Sequence, residues 1–183
     1  MKTKKDHIIY TIGHSTHTIE DLLQMLRSFG IEVLVDIRSL PGSRKFPQFD
    51  QEALKRSLEE IGIQYIYLAD LGGRRKARKD STNNRWRNAS FRGYADYMET
   101  EKFKAGIAEL ERIASKKTTV IMCAEAVWWR CHRSMISDLL KAKGWTVYHI
   151  MSATKKEEHP YTSPALVVDG GICYSDQGCS KGE

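Results

Sequence analysis

The sequence predicts a three-layer α/β/α domain built on a mainly parallel sheet of five or six strands, and three observations predict it. Short apolar runs rich in β-branched residues alternate along the chain with segments whose apolar residues recur at helical spacing, the pattern of helices packed on a parallel sheet. The links between them are short, so successive strands are joined by right-handed crossovers that put helices on both faces. Of 183 residues, 41% are apolar and 28% charged, which suits one substantial core in a soluble protein. The architecture is Rossmann-like or flavodoxin-like, with residues 1–169 as a single domain and residues 170–183 as a frayed tail.

His7 to Ile12 reads as a buried first strand closed by Gly13. Thr18 with Asp21 three residues on forms a capping box, and Ile19, Leu22, Leu23, Leu26 and Phe29 keep helical spacing until Gly30 stops the helix. Val33 to Ile37 is the second strand. Pro41, Gly42 and Pro47 make 40–50 a loop, with Asp50 as cap for a helix through Leu54, Leu58 and Ile61. Ile63 to Leu68 is the third strand. From Tyr94, the apolar positions Tyr97, Met98, Phe103, Ile107, Leu110 and Ile113 fit one bent helix or two short ones. Thr118 to Met122 is the fourth strand, Met135, Ile136, Leu139 and Leu140 mark the next helix, and Trp145 to Ile150 is the fifth strand. Ala165 to Val168 is a candidate sixth, edge strand.

In a parallel sheet all carboxyl ends lie on one edge, where ligands bind. The residues that follow strands one to four are His14 and Ser15, then Asp36, Arg38 and Ser39, then Asp70, Arg74 and Arg75, then Cys123 and Glu125. The stretch Val120 to Met135 is the richest of these strand–loop–helix units, adding Arg130, Cys131, His132 and Arg133 near the first amides of a helix.

The formal charge of +6 is concentrated. Between Arg74 and Arg92 there are eight Lys or Arg against Asp80 alone, or +7, while the other 21 basic and 22 acidic side chains leave −1. An anionic partner is therefore expected at that segment, where Trp86 and Phe91 interleave with Arg in the manner of single-stranded nucleic acid sites. Trp128 extends such a platform; packing of these tryptophans inward is the alternative. No apolar run approaches the roughly 20 residues that span a bilayer, and the basic start lacks a signal-peptide core before the polar Gly13 to Thr16. A cytoplasmic protein without membrane contact is expected, with its four cysteines reduced and Cys173 and Cys179 incidental.

Thr11 to Ser15, Val35 to Ser39 with Pro41 and Ser43, Leu71 to Gly73, and Cys123 to Glu125 closing on Cys131 to Arg133 resemble the motif set of the bacterial and archaeal domain-of-unknown-function family 488. The resemblance runs from about Ile8 to Ile150. It implies an α/β fold and a shared polar site at His14, Ser15, Asp36, Arg38, Ser39, Cys123, Glu125, Cys131, His132 and Arg133. Where many members resemble one another in acidic, proline-containing residues after Cys-Ala-Glu, this chain has Ala126 to Arg130 with two tryptophans.

The residue types point to an enzyme acting on a phosphate-bearing nucleotide or nucleic acid. Glu125 and His132 would serve as acid and base, Cys123 as a nucleophile favoured by the helix terminus and nearby Arg, and Asp36 and His14 as further candidates. Ser15, Arg38, Ser39, Arg74, Arg75, Arg130 and Arg133 would hold phosphate, with Trp86 and Trp128 stacking on a base. The Cys123 to Arg130 spacing is one residue too long for a phosphatase or sulfur-transfer loop. The alternatives are a non-catalytic nucleic-acid-binding module and a zinc protein using Cys123, Cys131 and His132. No cofactor is evident.

Overall fold

The computed structural model describes residues 7–179. Its core is a six-stranded sheet of β1 (Ile8–Gly13), β2 (Val33–Asp36), β3 (Gln64–Tyr67), β4 (Thr119–Cys123), β5 (Thr146–Ile150) and β6 (Lys156–Glu158), in the order β3-β2-β4-β1-β5-β6. The first five are parallel and β6 is antiparallel to β5.

The helices divide between the faces according to their apolar stripes. Leu22, Met25 and Leu26 of α1 (Ile19–Ser28) pack with Leu54 and Leu58 of α2 (Gln51–Glu60) over Tyr10, Ile12, Leu34, Val120 and Met122. On the other face, α3 (Ala89–Met98), α4 (Glu101–Ala114) and α5 (Arg133–Ala142) bring Tyr94, Phe103, Ile107, Leu110, Met135 and Ile136 against Ile9, Val33, Val35 and Ile121. Alternate residues of one strand thus enter two separate cores, which is why the central strands are mostly apolar on both faces. Among the described residues no helix is long and apolar enough to cross a membrane.

Local chemistry sets the element ends. Thr18 Oγ1 accepts the Asp21 amide at 3.1 Å, as the capping box predicts. The 94–113 periodicity resolves into two helices, broken where Thr100 caps α4. Asp50 precedes α2 without capping it; its carboxylate holds the Ser43 amide instead.

Three expectations fail at the carboxyl end of the chain. Leu166–Val168 (β7) does not join the main sheet but forms a hairpin with Gly171–Cys173 (β8). The turn is Asp169-Gly170 with φ of 50° and 76°, the two positive values that a tight two-residue hairpin turn demands. The sixth strand is the polar Lys156–Glu158. Residues 170–179 are not frayed either: Cys173, Tyr174 and Ser175 are buried, and the Tyr174 hydroxyl donates to Asp138 at 2.8 Å. Cys173 and Cys179 form a disulfide, so only Cys123 and Cys131 are free thiols, against the expectation of four.

Candidate functional site

The carboxyl edge of the sheet carries two polar clusters side by side, after the adjacent strands β2 and β4. The first is closed. Asp36, fully buried, accepts the Arg38 amide at 3.0 Å, Arg38 Nε at 3.0 Å and Nη2 at 2.7 Å, and the Tyr65 hydroxyl at 2.7 Å. Arg38 is 5% exposed and also donates to the Phe49 carbonyl at 2.8 Å. Burial works against its charge, but the Asp36 carboxylate outweighs that and raises its pKa. Burial beside Asp36 likewise pushes the Tyr65 phenol up.

His14 completes this cluster. Its ring stacks on Phe49 at 4.3 Å and 29°, Nδ1 lies 3.1 Å from the Ser15 carbonyl, and Nε2 lies 3.4 Å from Arg38 Nη1. The carbonyl fixes the proton on Nδ1, so Nε2 accepts from the guanidinium and the ring is neutral. Burial, against the pull of the Ser15 carbonyl, lowers its pKa to about 4. His14 and Ser15 also bind the next loop through their amides, at 3.0 Å to the Cys123 and Ala124 carbonyls.

That contact explains Gly13. A Cβ there would sit 1.8 Å from the Glu125 carbonyl oxygen, so only glycine lets the loop after β4 cross the end of β1. The connections from β1 and β4 leave in opposite directions, which makes this the crevice where an open α/β sheet ordinarily binds ligand. Here the loop fills it, and the cavity is displaced toward β2 and β3.

The second cluster opens into that cavity, of about 400 Å³, whose wall includes Arg38, Ser39, Gly73, Arg74, Cys123, Glu125, Arg130, Cys131 and His132. His132 is held by two neighbours. Its Nε2 lies 3.1 Å from the Ile37 carbonyl, and its ring lies so near Gly73 that a Cβ there would be 2.8 Å from Nδ1. The Ile37 carbonyl keeps the proton on Nε2, which leaves the Nδ1 lone pair facing Cys131 Sγ at 3.6 Å. Burial lowers the pKa of His132, so the ring is a neutral base.

Cys123, expected as the nucleophile, is the less suited of the two thiols. Burial and its hydrogen bond with Cys131 push it well up. At Cys131 burial also opposes ionisation, but the bond with Cys123 and the charge of Arg133 prevail and hold the thiol below its ordinary value.

Arg133 is not positioned as a phosphate clamp. It is 2% exposed and points inward, with Nη1 2.6 Å from Cys123 Sγ and 2.7 Å from the Glu125 carbonyl and Nη2 3.1 Å from the Ala126 carbonyl. It is the post around which the 123–126 loop is wrapped. Arg75 turns away as well, lying 3.6 Å over the Tyr97 ring and donating to the Gly72 carbonyl at 3.2 Å. Ser39 donates to the Gly73 carbonyl at 2.8 Å. Arg74 and Arg130 are different: both are exposed on the cavity wall, and among the described residues their side chains make no hydrogen bond or ion pair. Arg74 is held at φ 57°. The Glu125 carboxylate is exposed and equally uncommitted to a hydrogen bond or ion pair.

The remaining predicted residues face inward. Trp86 stacks on Phe91 at 4.7 Å and 20° and lies 5.6 Å from Tyr174. Trp128 stacks on His149 at 4.6 Å and 5°. Neither lines the cavity; Phe91 and Tyr94 of α3 do, with Asn88 and Ser90 at its start. Asn88 caps α3, a signal present in the sequence, where a polar residue precedes the helical run.

Behind Trp128 lies a buried chain that periodicity did not reveal. Thr11 Oγ1 is 2.6 Å from His149 Nδ1, His149 Nε2 is 2.9 Å from His159 Nδ1, and His159 Nε2 is 2.8 Å from Asp138 Oδ1. Burial, with the nearby His159, lowers the pKa of His149 to about 2. Among the described residues no group of three or more His, Cys, Asp or Glu side chains is arranged to hold a metal ion.

Fold and rim together define a three-layer α/β protein with a thiol-bearing pocket beyond the carboxyl ends of its strands. The chain belongs to the family described as "Domain of unknown function DUF488", whose model matches residues 18–140, well over half of the chain. The match takes in the motifs at Asp36 to Ser39, Leu71 to Gly73, and Cys123 to Arg133, and begins just after His14 and Ser15. Comparison with curated proteins and with solved structures finds no match.

Proposed function

We propose that the cavity is the active site of a thiol-dependent enzyme acting on a small phosphate-bearing substrate of nucleotide size. The observation that carries this reading is the pairing of Cys131 with the free Nδ1 of His132, in a cavity whose mouth holds two uncommitted guanidinium groups. A volume of about 400 Å³ suits a small molecule. The inward packing of Trp86 and Trp128 argues against a strand of nucleic acid stacked along the rim.

In this mechanism Arg74 and Arg130 hold the phosphate. The Cys131 thiol gives its proton to His132 Nδ1, and the sulfur bonds to the electrophilic centre of the substrate. The leaving group departs with the proton from His132. Water, deprotonated by Glu125, then displaces the sulfur, and that proton returns to the sulfur to restore the Cys131 thiol. Arg38 and Asp36 brace the wall, and Arg133 keeps the 123–126 loop in place.

The test is alkylation of Cys131 by iodoacetamide as a function of pH, with and without a panel of nucleotides and sugar phosphates. The rate should rise to a plateau with a midpoint below the roughly 8.5 of a free cysteine, and a bound phosphate compound should slow it. Arg74→Ala combined with Arg130→Ala should remove the protection while leaving the unprotected rate. A midpoint at or above that of free cysteine, or indifference to every phosphate compound while single-stranded nucleic acid protects, would refute the reading.

A further inference from the structure

Cys123 and Cys131 are eight positions apart in the chain, on the end of β4 and just before α5, yet both reach the same cavity wall and each perturbs the ionisation of the other. One thiol suffices for the chemistry above. The second is placed with care: Arg133 Nη1 lies 2.6 Å from Cys123 Sγ, and the Nε of the same guanidinium is buried with no acceptor. A cation pressed against a sulfur stabilises the charge that develops there when the thiol attacks. The two environments are unequal in the sense that a peroxide-reactive thiol and its resolving partner require. Both thiols are buried on the cavity wall, but Cys131 has a neutral base at 3.6 Å while Cys123 has the guanidinium and no base. The segment between them, Ala124 to Arg130, is exposed or half-buried throughout, so the adjustment that joins the sulfurs falls on surface chain and not on the core.

We propose that Cys131 is a site of oxidation by peroxides and that Cys123 resolves it into an intramolecular disulfide. The Cys131 thiolate attacks one peroxide oxygen, the O–O bond breaks, and the distal oxygen leaves as hydroxide or alkoxide, giving a sulfenic acid. The Cys123 thiol then attacks the Cys131 sulfur. The S–O bond breaks, the hydroxyl leaves as water with the Cys123 proton, and an S–S bond forms. A dithiol reductant returns both thiols by exchange. The inference rests on the reading of Cys131 as the nucleophile. The disulfide removes that nucleophile reversibly and keeps it from the irreversible sulfinic and sulfonic acids.

The experiment treats the full chain with stoichiometric hydrogen peroxide, quenches with acid, alkylates under denaturing conditions and reads intact mass and tryptic peptides. Trypsin cleaves after Arg130, so the disulfide appears as two covalently joined peptides. The expected result is loss of both free thiols together, a mass lower by two hydrogens, and reversal by dithiothreitol. Cys123→Ser should instead accumulate two or three oxygens on Cys131, and in Cys131→Ser the Cys123 thiol should survive the same dose. Wild-type protein that gains oxygens on Cys131 while Cys123 stays titratable, or a Cys123→Ser variant oxidised no further than wild type, would overturn the redox couple. If Cys131 is alkylated by iodoacetamide but no disulfide forms, the redox couple alone fails. If Cys131 reacts with neither reagent, the thiol-enzyme reading falls with it.

Discussion

Two polar clusters sit a strand apart on one edge of the sheet, and they differ in what is left over. Around Asp36, the carboxylate, the Arg38 guanidinium, the Tyr65 hydroxyl and both ring nitrogens of His14 face partners inside the protein. Around Cys131, His132 keeps a lone pair, Glu125 keeps a carboxylate, and Arg74 and Arg130 keep guanidinium groups that bind nothing else described. Both clusters contain the residue types from which active sites are built. Hydrogen-bonding capacity left unused beside a cavity separates a site from a brace, because a buried group without a partner is costly and one with all its partners is inert.

The sharpest way to break the contrast is to damage the brace. Asp36→Ala leaves the Arg38 guanidinium, 5% exposed, without its counter-charge, and removal of one partner of a buried pair costs about 3–5 kcal/mol. Urea unfolding should show that loss. Cys131→Ser, by contrast, should stay within about 1 kcal/mol of wild type. Equal losses in the two variants would mean that both clusters are structural.

Acid attacks the same brace by another route. His14 has its folded pKa depressed to about 4 from an ordinary 6.5, so the unfolded chain binds the proton more readily between those values. Stability is then fully present above pH 6.5 and falls as the pH drops toward 4, by about 2 kcal/mol from this residue at pH 5. His149, depressed to about 2, adds a like term that continues to lower pH. Urea midpoints at half-unit steps should follow this slope, and His14→Gln should remove its own share of it. A flat profile between pH 6.5 and 5 would show that neither ring is held neutral.

The brace was hard to separate from the site in the sequence because residue type and edge position were legible while direction was not. Periodicity and capping located the parallel strands and most of the helices to within a residue or two, though α3 begins at Ala89, five residues before the first apolar position read at Tyr94, and the strand–loop–helix reading put Cys123, Glu125, Arg130 and His132 on one rim. Whether Cys131 has a base beside it depends on the proton of His132, and that is set by the carbonyl of Ile37 at the end of a different strand. Arg133 and Arg130 are alike as letters, but a turn of the chain sends one inward to Cys123 and leaves the other at the surface. The +7 segment read as a free cationic surface. In the fold Arg85 binds Asp176 and the Pro164 carbonyl, Arg92 binds the Trp86 carbonyl, and Arg78 binds Glu99. The strand Lys156–Glu158 was illegible for a simpler reason: three polar residues at an exposed edge need no alternation.

A smaller effect tests whether His132 is held as a base or merely packed. Gly73→Ala drives a methyl to 2.8 Å from Nδ1, and relief requires the ring to turn from the Ile37 carbonyl. The stability cost should be about 1–2 kcal/mol, since the obstacle is a side chain at a cavity wall. The alkylation midpoint of Cys131 should rise toward that of free cysteine. A variant that is destabilised without any change in that midpoint would assign His132 to the brace.

The smallest expected effect has the opposite sign. Arg74 stands at φ 57° on the cavity wall, a conformation that costs a non-glycine residue of order 1 kcal/mol and is kept where the surrounding structure has a use for it. Arg74→Gly relieves the strain and should stabilise the fold by about 0.5–1 kcal/mol, which for a chain of this size is a rise in Tm of roughly 2 °C. Arg74→Ala keeps most of the strain and removes the same charge. If Arg74 belongs to the open cluster, both variants lose phosphate protection of Cys131 to the same extent while only glycine gains stability. Protection retained by both would return Arg74 to the solvated surface and leave Arg130 as the cation at the mouth.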